Sequence, residues 1–359
     1  MSFETDVTGL KAPFPWFGGK RRVAAEAWRR LGPVPVYVEP FFGSGAVLLG
    51  RPGSYPAAEV ETVNDADGLL SNFWRAVAAD PDEVWHHADW PVNEADLHAR
   101  HLWLVGQRAA LTERLIVDPD WYDAKAAGWW VWGACAWIGD GWCSGEGPWR
   151  VVDGLLTKGA GRGINRTLPH LGDDGRGINR TLPHLGDDGQ GINRTLPHLG
   201  NDGRGINRPG GGPSHPLSLL GARLRRVRVA CGGWERVTGD SVLNPCRMGR
   251  VCGVFLDPPY GEGDAGYAFD SLTAATDSAE WARDAAKRLG FLRVAWCGYR
   301  GAAGGTLLDG AGWARFDWHA KGGYGSMGAQ VGRTENASRE AIWFSPSCEA
   351  SPQLPLFSA

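Results

Sequence analysis

Apolar and polar positions along the chain follow two different periods. From Val34 the run VPVYVEPFFGSGAVLLG opens with β-branched apolar residues, breaks at Pro40 and a Gly43-Ser44-Gly45 turn, and resumes as an apolar helix start. Strand, loop and helix are predicted in that order. A second strand is predicted over residues 60–63, ending at Asn64 and Asp65. The following DGLLSNFWRAVAAD places Leu69, Leu70, Phe73, Trp74 and Val77 on one helical face. Helical patterns then occupy 94–117 and 121–138, where the β/α alternation is lost. It returns after Leu224, with a strand at 225–230, a strand at 253–260 ending in a rigid turn, a helix at 274–289 and a strand at 291–298. Segments 313–318 and 341–344 read as a closing hairpin. The pattern predicts an α/β fold whose mostly parallel sheet, closed by an antiparallel hairpin, is interrupted in sequence by a mainly helical insertion at 81–216.

One stretch fits neither period. Between residues 161 and 208 the unit GRGINRTLPHLGDD recurs with a spacing of 14 residues from Gly161, Gly175 and Gly189, and in part from Gly203. One Ile and two Leu per unit bury too little apolar area to offset the ordering of the backbone, so a mobile insertion is predicted. A small solenoid presenting Arg162, Arg176 and their equivalents is the alternative.

Composition narrows the function classes. At 359 residues, 43% hydrophobic and 21% charged, the chain can bury a full core and carry an appended module. A formal net charge of −3 gives no global attraction to polyanions, so any nucleic-acid surface has to be a local basic patch. The seven cysteines are scattered and lack metal-ligand spacing, so buried thiols in a reducing compartment are expected and a metal site is not. No run of apolar residues reaches membrane-spanning length, and a soluble, cytoplasmic protein is the expectation.

Four motifs carry candidate chemistry. Asp257-Pro258-Pro259-Tyr260 follows the apolar run Val254-Phe255-Leu256. Two prolines stiffen a turn at the carboxyl end of a strand, where α/β sheets bind ligands. The Asp257 carboxylate and the Pro258 carbonyl can each accept a hydrogen from one amino group, and Tyr260 can stack on a planar ring. The corner can also be an ordinary Pro-rich turn. In Glu39-Pro40-Phe41-Phe42-Gly43-Ser44-Gly45, the glycines permit close approach of a bulky ligand, and the helix start that follows suits an anionic group. The spacing is not that of a dinucleotide fingerprint. Asp65 stands where an acid meets ribose hydroxyls in nucleotide-binding sheets, although Asp65 or Asp67 can equally cap the next helix. Trp16-Phe17-Gly18-Gly19-Lys20 offers an aromatic face, a close-approach Gly pair and a cation, Lys20 being otherwise a solvated charge.

Taken in order, WFGGK, EPFFGSG, VNDAD and FLDPPY resemble the Dam-like DNA adenine-N6 methyltransferase family, the alpha arrangement of amino-methyltransferases, over about 1–80 and 218–300. The resemblance implies a Rossmann-like methyltransferase sheet formed by 1–80 and 217–359, with 81–216 as target-recognition insertion. It implies S-adenosyl-L-methionine as cofactor, bound by Trp16, Lys20, Phe41, Gly43, Gly45, Asp65 and Asp257, and catalysis by Asp257, Pro258 and Tyr260. Double-stranded DNA is the implied partner, and a monomer with no obligate protein partner is expected. Cytosine N4, an RNA base or a glutamine amide presents the same planar amine, and a catalytically idle relative would keep the same motifs. Where relatives carry an acidic-aromatic pair ahead of the DPPY strand, this chain has Gly233-Trp234. Trp129, Trp130, Trp132, Trp137, Trp142 and Trp149 fit a helical core or base-stacking platforms. Arg21 and Arg22, with Arg162, Arg166, Arg176 and Arg180 in the repeats, are candidate phosphate contacts.

Overall fold

The structure, a computed structural model, describes residues 10–16, 20–137, 142–143, 149–152, 155–158, 215–259, 273–318 and 339–350. The 14-residue repeats and Tyr260 lie outside the described residues. The chain opens with α1 (Arg21–Leu31), β1 (Val36–Glu39), α2 (Ala46–Leu49) and β2 (Val60–Asp65). Five helices and a hairpin follow: α3 (Gly68–Ala79), α4 (Pro81–Ala88), α5 (Glu94–Val117), α6 (Ala124–Ala136), then β3 (Trp149–Val152) with β4 (Leu155–Lys158), and α7 (Pro216–Leu224). The α/β regime resumes with β5 (Val227–Cys231), α8 (Asn244–Arg247), β6 (Cys252–Leu256), α9 (Ala274–Arg288), β7 (Leu292–Tyr299), α10 (Ala303–Gly310), β8 (Ala314–Asp317) and β9 (Glu340–Phe344).

Seven strands form one sheet in the order β5-β2-β1-β6-β7-β9-β8. All neighbours from β5 to β7 are parallel, and β9 enters antiparallel between β7 and β8. The mixed α/β architecture and closing antiparallel hairpin are as expected from the two-period pattern.

Alternation along each strand explains why both faces are covered. Tyr37, Phe255, Ala295, Ile342 and Phe344 join one buried cluster with α1 and the α3–α7 helices. Their sequence neighbours Val36, Val38, Val254, Leu256, Val294, Trp296 and Trp343 join another with α9 and α10. A period of two thus feeds two cores from one sheet, which is the signature of helices packed on both sides. The buried indoles on the second face are satisfied, Trp296 Nε1 donating to Ser278 Oγ at 3.0 Å and Trp343 Nε1 to Asp309 Oδ1 at 2.7 Å.

The helical insertion packs on α3, whose residues 68–77 are all buried. Arg75 joins the layers, donating from Nη1 to the carbonyls of Asp118 (2.7 Å) and Trp121 (3.1 Å) and from Nη2 to those of Leu115 (3.3 Å) and Val229 (2.9 Å). The carboxyl end of α5, the turn into α6 and strand β5 therefore converge on one guanidinium. Among the described residues no helix is long and apolar enough to cross a membrane.

Candidate active site

Because β1 leads to β2 on one side while β6 lies on its other side, the strand order reverses between β1 and β6. The crevice beyond the carboxyl ends of such a pair is where open α/β sheets take ligands. Glu39, Asp65, Cys231 and Leu256 close β1, β2, β5 and β6 at that edge, and antiparallel β9 brings its first residue, Glu340, opposite Tyr299 at the end of β7.

The Gly-rich loop is built by local backbone requirements. Gly43 has φ +48° and Gly45 φ +64°, both in the left-handed region. A Cβ on Gly43 would sit 2.7 Å from Trp16 Nε1, and one on Gly45 2.7 Å from the Phe42 ring. Trp16 from the first motif thus lies directly on the loop of the second. Gly43 N–H donates to Asp65 Oδ2 at 2.9 Å, Asp67 N–H donates to Asp65 Oδ1 at 3.0 Å, and Trp74 Nε1 donates to the Gly43 carbonyl at 2.9 Å. Asp65 therefore ties the β1 loop to the end of β2, while Asp67 caps α3 through Leu69 N–H (2.9 Å). Of the alternatives weighed for this acid pair, the helix cap falls to Asp67. Burial pushes the Asp65 carboxyl up to about 6, against the lowering effect of the Asp67 and Gly43 N–H groups.

The helix after the loop is a single turn, and its Leu48 N–H is taken by Glu39 Oε2 at 3.2 Å. The helix start expected to suit an anionic group is thus one turn long, with one of its N–H groups already taken. Glu39 also accepts from Tyr37 Oη at 2.8 Å, and burial raises its carboxyl well above the usual range. A cleft of about 480 Å³ opens beside the loop, with Trp16, Arg21, Ser44 and Ala46 in its walls.

Lys20 joins the first motif to the last. It is 5% exposed, and its Nζ lies 3.0 Å from Asp257 Oδ1, 3.8 Å from Glu340 Oε2 and 5.8 Å from the Trp318 ring centroid. A solvated surface charge is excluded by that burial. Pro258, directly after Asp257, is buried. The ammonium orients the Asp257 carboxylate from a position 237 residues away in sequence.

Trp234, where the sequence departs from the family pattern, stacks on Phe41 with centroids 6.2 Å apart and planes at 28°. The two rings pack on each other and leave no gap for a third ring, which would need about 7 Å, two carbon contacts of ~3.5 Å each. Aromatic identity alone was the signal for Trp234. From the insertion, Arg108 of α5 reaches Asp67 at 3.4 Å. Of the tryptophans, Trp130 and Trp132 are core; Trp137 stacks on buried His101 at 5.0 Å, and Trp142 packs against Gly133. Trp16, Lys20, Phe41, Gly43, Gly45, Asp65, Asp257 and Pro258 all lie along one edge of the sheet, on the segments that close β1, β2 and β6 or pack against them. Compared with known proteins, the chain matches no family model, and no curated sequence is similar to it.

Proposed function

We propose that this chain is an S-adenosyl-L-methionine-dependent methyltransferase acting on N6 of adenine in a specific sequence of double-stranded DNA. The observation that carries the reading is convergence. The four motifs of the Dam-like pattern are scattered over more than two thirds of the chain, and the described parts of all four meet at the switch point of the sheet. The closing antiparallel hairpin is the one expected of a methyltransferase sheet.

The residues present fit the cofactor. Positive-φ glycines at 43 and 45 let the Trp16 indole and the Phe42 ring pack directly on the loop that would face the cofactor. Phe41 and Trp234, stacked on each other beyond the β1 strand end, supply an aromatic surface for a purine. Asp65 is a carboxylate at the end of β2, suited to ribose hydroxyls. When bound, the cofactor supplies an electrophilic methyl on a sulfonium.

The remaining chemistry belongs to the protein. An adenine extruded from the duplex, at a cost of a few kcal/mol, presents its amine to the strand-end corner. Asp257 accepts one amine hydrogen and the Pro258 carbonyl the other, drawing the nitrogen lone pair out of conjugation and aiming it at the methyl. Lys20 fixes the Asp257 carboxylate for that contact. Tyr260, outside the described residues, is assigned by the motif to stack on the base.

Tritium transfer from labelled cofactor to duplex DNA, RNA and protein acceptors tests the proposal. Label is expected in duplex DNA and lost in Asp257→Ala. Label appearing only in protein, or unchanged transfer by Asp257→Ala, rejects it.

A further inference from the structure

Away from the strand ends, the helical insertion carries a second cleft of about 300 Å³, walled by Trp90, Asp96, Ala99, Arg100, Trp103 and Trp129. It sits where α5 and α6 pack together, beside the α4–α5 turn. Its centre is a guanidinium among indoles. Arg100 is 8% exposed, with Cζ 4.2 Å from the Trp132 ring centroid, 5.0 Å from Trp129 and 5.5 Å from Trp90. Its Nη1 is buried and has no hydrogen-bond partner. Lys125 adds a second cation, 4.5 Å from the Trp129 centroid and 5.1 Å from Trp103. Trp103 and Trp129 meet edge to face at 5.1 Å.

The outer wall is unusual for a soluble surface. Trp90 is 52% exposed, yet it is held in place, its Nε1 donating to Asp96 Oδ2 at 2.7 Å while Asn93 Nδ2 donates to the same oxygen at 2.6 Å. Trp90 thus presents a fixed, half-exposed indole face at the mouth of the cleft, the residue type enriched at contact sites. A buried donor without a partner costs about 1–3 kcal/mol, and the side chain that carries it is part of the cleft wall.

We infer that this cleft binds an unstacked nucleobase and its phosphate from a nucleic-acid strand, the base against Trp90, Trp103 and Trp129 and the phosphate on Arg100 and Lys125. Two cations against one carboxylate disfavour a cationic ligand, so a cage for a quaternary ammonium is not the fit. Flat faces paired with cations are the combination that single strands use. Placement agrees. Arg108, which touches Asp67 beside the candidate active site, lies eight residues from Arg100 on α5, an axial rise of about 12 Å. That is the length of a few nucleotides.

The identity of the partner rests on the proposed DNA methylation, and the two can fail separately. Binding of a labelled short duplex, and of one of its strands alone, is measured by fluorescence anisotropy for the wild-type chain and for Trp90→Ala, Lys125→Gln and Arg100→Gln. Trp90 and Lys125 are exposed, so their variants should fold even if Arg100→Gln does not. Trp90→Ala is expected to weaken binding roughly five- to hundredfold, and Lys125→Gln to lower the salt slope by about one. Affinity for S-adenosylhomocysteine should not change. If wild-type protein methylates DNA while both exposed-site variants bind it as tightly as wild type, the cleft assignment falls and the function stands. Failure of the wild-type chain to bind either probe overturns the cleft, as does equal competition by an acidic peptide. Normal binding without methyl transfer in any acceptor leaves the cleft standing and removes the function.

Discussion

Two opposing influences act on the Asp65 carboxyl, and burial prevails over the Gly43 and Asp67 N–H groups to hold it near 6. An acid whose folded pKa is raised from about 3.9 binds its proton preferentially in the folded state. Its stabilisation is therefore complete below about pH 4 and is lost as pH rises through 6. A displacement of about two units corresponds to roughly 3 kcal/mol. His101, pushed down to about 4 by burial, acts oppositely over the same range. The difference between wild type and Asp65→Asn in urea unfolding isolates the Asp65 contribution; wild type should lose about 3 kcal/mol relative to the variant between pH 4 and 7. An unchanged difference across that range would remove the buried-acid account. Because the ionised form is the better acceptor for ribose hydroxyls, S-adenosylhomocysteine should also bind more tightly as pH rises through 6 in wild type and not in Asp65→Asn, as titration calorimetry would register.

Gly43 makes a second residue-scale prediction. A Cβ there meets both a left-handed φ and the Trp16 indole at 2.7 Å. Gly43→Ala should lower stability by about 1–3 kcal/mol and weaken cofactor binding more than tenfold, whereas Gly106→Ala, with nothing within 4 Å, should do neither. Equal behaviour of the two in a thermal melt and a binding titration contradicts the close-approach argument.

Elements differ in how far sequence pattern alone announces them. Helix α5 (Glu94–Val117) coincides with the predicted 94–117, because its Asn93 cap and long mixed periodicity leave little choice. Helix α1 was not anticipated: Val23, Ala24, Ala27, Trp28 and Leu31 form its buried face, but alanines blur the apolar stripe. Strands β3 and β4 flank Asp153-Gly154, the dipeptide that favours tight hairpins, yet they follow two helical segments and were read as part of the same module. At the site, the motifs declared the residue types and their position at strand ends. Their mutual contacts were not legible, since Lys20 with Asp257 and Phe41 with Trp234 are long-range pairs, the first formed only once β6 lies beside β1 and the second only once β5 lies beside β2. The prediction that belongs at this scale concerns Lys20. Removing one partner of a largely buried ion pair leaves the other uncompensated at a cost of about 3–5 kcal/mol. Lys20→Met should lower the melting temperature and cut methyl transfer at least a hundredfold, and a variant with wild-type turnover would show that Lys20 does not orient Asp257.

On the scale of the whole molecule, a cofactor that binds only the folded chain stabilises it by about 2.7 kcal/mol at a hundredfold excess over Kd. S-adenosylhomocysteine should therefore raise the melting temperature measurably, and the absence of any shift at saturating ligand would count against a pocket at the strand ends. The guanidinium of Arg75 has a different consequence. Four carbonyls from three separate stretches depend on it, and none of those stretches can part from the others while it stays in place. Heating should then give one calorimetric peak instead of two, and Arg75→Leu should broaden or split it. For anyone hoping to retarget the protein by transplanting residues 81–137 from another chain, the transplant has to arrive with carbonyls in register for that single side chain, or the graft will not seat.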